Sequence, residues 1–96
     1  MSLADLTAAS FADRMKDRFT IAGGPAPLEL VLIEIEEFGP TPRGRNAFSI
    51  RFLGPAQPVL PQAIYALDNA AMGELRIFLV PLGPRDGGMR YEAVFA

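Results

Sequence analysis

From residue 18 onward, apolar and polar positions alternate with period 2, and Gly and Pro separate the alternating runs. The runs are Arg18 to Ala22, Leu28 to Phe38, Phe48 to Phe52, Ala63 to Leu67, Glu74 to Val80 and Met89 to Phe95. Phe48-Ser49-Ile50-Arg51-Phe52 is the plainest of them, a half-buried strand with Phe48, Ile50 and Phe52 turned inward. The second run alternates cleanly only in its second half. Leu28, Leu30 and Leu32 share a face with Glu34 and Glu36, so either a bulge reverses the face or the first half is covered on both sides. The last two runs flank Asp86-Gly87, a strong turn dipeptide, which predicts an antiparallel hairpin with residues 81–88 as its loop. Gly54 to Pro61 is too long and too stiff for a tight hairpin; it predicts a crossing to another sheet or around a barrel. Gly39 to Arg45, with two prolines that cannot donate to a ladder, reads as a loop, as does Gly23-Gly24-Pro25.

The only helical pattern precedes these strands. Thr7 fits an N-cap, Leu6 and Phe11 have the spacing of a hydrophobic staple, and Phe11 and Met15 repeat at i, i+4. This predicts a helix over residues 7–16 that caps one end of the sheet, because two turns with one narrow apolar stripe cannot stand alone. The expected fold is all-β: a small antiparallel sandwich or barrel of about six strands with a short N-terminal helix. Residues 1–96 read as one domain, with the β domain over 18–95.

Composition narrows the chemistry more than the fold. The 96 residues contain no Cys, no His and no Trp. That excludes disulfide scaffolds, thiol nucleophiles and zinc-thiolate or iron-sulfur sites, and removes the commonest general base. Ser2, Ser10 and Ser49 therefore have no imidazole to activate them, and nothing in the spacing of Lys16 suggests a serine–lysine pair. No cofactor or metal is expected. Nine Lys and Arg against eleven Asp and Glu, interspersed along the chain, make no basic footprint for nucleic acid. The start Met1-Ser2-Leu3-Ala4-Asp5 does not read as a signal peptide. No apolar run, Leu30 to Ile33 included, approaches the ~18 residues of a membrane span, so a cytoplasmic location is the default expectation.

The densest carboxylate cluster is Glu34, Glu36 and Glu37. As a site it would be a cation centre or an acid/base pair, but it lacks the spacing of a metal-binding loop. The plainer expectation is cross-strand pairing with Arg51, Arg76 or Arg90, at ~0.2–1 kcal/mol per pair. Asp86-Gly87-Gly88 is explained by turn chemistry. Gly54-Pro55 and Gly83-Pro84 read as corners rather than phosphate cradles, since no helix follows either. Apolar residues on both faces are harder to explain. Leu75, Ile77 and Leu79 already supply one apolar face of their strand, leaving Phe78 and Val80 on the other beside Glu74 and Arg76. Phe78 and Val80, with Leu28, Leu30 and Leu32, are therefore the candidate contact surface.

Pro61-Gln62 with Tyr65, Phe78-Leu79-Val80-Pro81 and Tyr91-Glu92-Ala93-Val94-Phe95 together resemble an uncharacterised bacterial family of roughly hundred-residue domains of unknown function. The strand ending in Leu53-Gly54-Pro55 and the region Thr7 to Phe19 extend the likeness over nearly the whole chain. The resemblance implies no catalytic residue. Some members stand beside phage tail-collar-like proteins, which implies an accessory or assembly role.

The expected function is thus a non-enzymatic protein-interaction or assembly module, with a protein partner or self-association, no nucleic acid and no membrane. The alternative is a small-molecule-binding barrel with Tyr65, Tyr91 and Gln62 at its mouth. A third possibility is an enzyme using Glu36, Glu92 or Asp68 as general acid and base, which requires two carboxylates converging in a cleft.

Overall fold

A computed structural model describes residues 6–22, 27–42 and 46–95. One short helix, α1 (Ala8–Ala12), is followed by six strands: β1 (Arg18–Ile21), β2 (Leu28–Pro40), β3 (Asn46–Pro55), β4 (Ala63–Asn69), β5 (Gly73–Arg85) and β6 (Gly88–Phe95). All pairings are antiparallel, and the strands close into a barrel in the order β1-β2-β3-β6-β5-β4. The all-β expectation holds, and of sandwich and barrel the chain forms the barrel. Its arrangement is a Greek key: β1, β2 and β3 follow one another through sequential pairings, and β4 returns beside β1 through Thr20↔Asp68 and Ile21↔Leu67. The stiff segment after Pro55 makes that return, from β3 to a strand that is not its neighbour. The expected turn at Gly23-Gly24-Pro25, the Arg43-Gly44-Arg45 part of the next loop and the start Met1 to Asp5 with Ser2 lie outside the described residues.

The interior is filled by side chains from every strand, among them Phe19, Leu30, Leu32, Ile50, Phe52, Leu67, Leu79 and Tyr91. Phe19 and Phe52 meet edge-on at 5.1 Å. At one end Phe11 of α1 sits 6.0 Å from Phe48 and 5.6 Å from Phe95, which stack on each other at 4.7 Å. The helix does cap the sheet, but it is shorter than residues 7–16. Its start matches the expectation: Thr7 is extended, and its N–H donates to Ser10 Oγ at 3.0 Å. Beyond Ala12 the chain turns away, because β2 offers a partner that another helical turn would not. The Lys16 N–H donates to the Leu32 carbonyl at 2.8 Å with Lys16 at φ 71°, and the Leu32 N–H donates back to Asp17 O at 3.1 Å. Met15 accordingly leaves the stripe it was expected to share with Phe11 and is exposed.

Two irregularities decide which residues face out. The β2–β3 register shifts between Leu32 and Glu34, so the bulge at Ile33 turns Leu30 and Leu32 inward while Glu34 and Glu36 point outward. The β5–β6 hairpin is longer than the sequence suggests. Pro81 and Pro84 lie within the ladder opposite Tyr91 and Met89, with a shift between Pro81 and Gly83, and only Asp86-Gly87 form the turn. Prolines are tolerated there because the β4–β5 pairing reaches only Leu79, so neither ring interrupts a two-sided ladder. Asp86 at φ 50° and Gly87 at φ 79° have the left-handed conformations of a type I′ hairpin. Gly54, expected as a corner, is a buried strand residue of β3. Among the described residues, no helix is long and apolar enough to cross a membrane.

Candidate functional site

The outward positions of β4, β5 and β6 carry the apolar residues that the barrel does not use. In β5, Leu75, Ile77 and Leu79 point inward, which leaves Glu74, Arg76, Phe78 and Val80 on the outside. Phe78 is 48% exposed and lies directly opposite Ile64 of β4, which is 69% exposed. Val94 of β6, 62% exposed, stands on the outer face two residues from Glu92, the cross-strand partner of Val80. Val80 itself is half-buried.

Of the expected contact surface, Phe78 and Val80 are where the period-2 pattern places them. Leu30 and Leu32 must be corrected: both are fully buried in the core, because the bulge at Ile33 resolves the shared face of leucines and glutamates. Leu28 is half-buried and packs against the same core. Ile64 and Val94 were missed. Their signal was present, since each alternates with an inward residue, Tyr65 and Leu67 for Ile64, Ala93 for Val94.

Beside this apolar row lies a charged group built across three strands. Arg51 of β3 is level with Glu34 of β2 and Glu92 of β6. Its guanidinium contacts Glu34 at 3.1 Å, Glu36 at 2.7 Å and Glu92 at 3.1 Å, with its own side chain 17% exposed. The hydrogen bond that Arg51 donates to Glu36 is the largest influence raising the Arg51 pKa above its ordinary value, with Glu34 and Glu92 adding to it and burial opposing. Three carboxylates against one guanidinium leave two negative charges in excess on that flank. Cross-strand pairing with Arg51 is therefore realised. Arg76 instead reaches Glu74 on its own strand, at 3.8 Å and largely exposed, and Arg90 Nε is buried without a hydrogen-bond partner. Glu37 lies opposite Phe48, away from the cluster.

This arrangement is ill suited to acid–base catalysis. Glu36 and Glu92 do converge, but on a guanidinium that engages both, while Asp68 lies elsewhere, between Glu74 and Thr20. Among the described residues, no cluster of three Asp or Glu is arranged to hold a metal ion.

The tyrosines proposed for a barrel mouth fasten the β3–β4 crossing instead. Tyr91 is 1% exposed, and its Oη accepts the Leu60 N–H at 2.9 Å. The Tyr65 hydroxyl donates to the Pro61 carbonyl at 2.6 Å. Partial burial, and then the neighbouring Tyr91, raise the Tyr65 phenol above its usual range. Both hydroxyls are thus engaged by the chain itself, and Gln62 is exposed beside them. Surface hollows of about 340, 310 and 610 Å³ lie elsewhere, beside Ala8 and Glu37, between Lys16 and Asp86, and over Thr20 and Asn69.

A family model described as Domain of unknown function (DUF6916) matches residues 6–95, the whole strand-forming part and α1. The chain belongs to that family. The match extends over both flanks of the outer face, from Glu34 on β2 to Val94 on β6, so this DUF6916 domain carries the apolar row and the Arg51 cluster within the family region. No curated protein and no solved structure matches the chain.

Proposed function

We propose that this domain is a protein-interaction module, without catalysis of its own, that docks through the outer face of β4, β5 and β6. The observation that carries this reading is the pair Ile64 and Phe78, exposed directly opposite each other on a barrel whose interior is already packed. Isolated exposed apolar residues are ordinary, whereas a cross-strand pair with Val80 and Val94 beside it forms a patch of the kind that marks contact surfaces. Aromatic residues contribute disproportionately to such contacts, and Phe78 is central to the row. The setting we propose is a bacterial, cytoplasmic assembly of phage-tail-like kind, on the likeness of the Tyr65, Phe78-to-Pro81 and Tyr91-to-Phe95 segments to domains found beside tail-collar-like proteins.

Photo-crosslinking tests the docking face. A photoreactive amino acid replacing Phe78 should give a discrete adduct in the producing cell, and the same residue replacing Glu29, exposed on β2, should give none. Absence of an adduct at position 78, or equal labelling at both positions, would refute the assignment.

A further inference from the structure

We draw no further inference here: the strongest candidate, the exposed apolar patch of Ile64, Phe78 and Val94 on the outer face of β4, β5 and β6, belongs to the surface already described, and nothing in the structure shows what covers it.

Discussion

Replacing Gly54 with alanine tests the packing that shapes this barrel. Gly54 faces inward from β3, and a β-carbon built there would lie 2.5 Å from Leu30 Cδ2 and 3.4 Å from Tyr91 Cε2. The second distance is close to ordinary contact; the first is not. Carbon atoms pack best at about 3.5–4.0 Å, so Leu30 has to withdraw by about 1 Å. Leu30 is fully buried and cannot swing into solvent. In an open strand the same substitution would be favourable by roughly 0.5–1 kcal/mol, because glycine loses more backbone freedom on folding. Here overpacking at about 1–3 kcal/mol outweighs that gain. For a domain of this size each kcal/mol lowers the melting temperature by about 4–8 °C, which calorimetry or thermal circular dichroism resolves. Leu30→Val removes the obstructing methyl and should cost on the order of 1 kcal/mol alone. In that background Gly54→Ala should be close to neutral, giving a favourable coupling in the double-mutant cycle. If Gly54→Ala is neutral or stabilising in the wild-type chain, or if the two substitutions are additive, the close approach of Leu30 to Gly54 is refuted.

Asn69 is buried at the end of β4, where its Oδ1 accepts the N–H groups of Ala71 and Met72, each at 2.9 Å, and its Nδ2 donates to the Arg18 carbonyl at 3.1 Å. Asn69→Ala leaves two turn donors and one carbonyl without that partner and should cost roughly 1–3 kcal/mol in a urea titration, and Asn69→Asp should be no milder, because it keeps the Oδ1 contacts but sets an acceptor oxygen against the Arg18 carbonyl and the Asp17 carboxylate in place of the Nδ2 donor. Arg51→Gln leaves Glu34, Glu36 and Glu92 facing one another. Because those carboxylates are partly exposed, the loss should be only roughly 1–2 kcal/mol. That variant should gain stability with added salt more than the wild type does, since screening weakens the remaining repulsion.

Much of the site was legible in the pattern of side chains. In β5 the alternation of Leu75, Ile77 and Leu79 with Arg76, Phe78 and Val80 is a local property of an extended backbone, so the exposure of Phe78 followed from the sequence alone. The same holds for the Asp86-Gly87 turn, whose positive φ angles are supplied by its own two residues. Leu30 and Leu32 were misplaced because a period-2 pattern that breaks at Ile33 admits two solutions. Only the pairing of β2 with β3, together with the Lys16 and Asp17 bonds to Leu32, selects the bulge.

The carboxylate cluster shows the same division. Glu34 and Glu36 were visible as outward charges, and Arg51 as one of three candidate partners. That Arg51 takes Glu34, Glu36 and Glu92 together depends on β3 lying between β2 and β6. The meeting of Ile64 with Phe78 likewise depends on the β4–β5 register, and the level of Val94 beside them on the position of β6 between β5 and β3. The sequence by itself determined strand character, the inward and outward sets within most strands, and the absence of thiol and imidazole chemistry. Tertiary structure alone decided closure into a barrel and which outward residues became neighbours. Alternation is dictated by the geometry of one strand, whereas adjacency across strands is set by register and by long-range crossings that no short window of the chain contains.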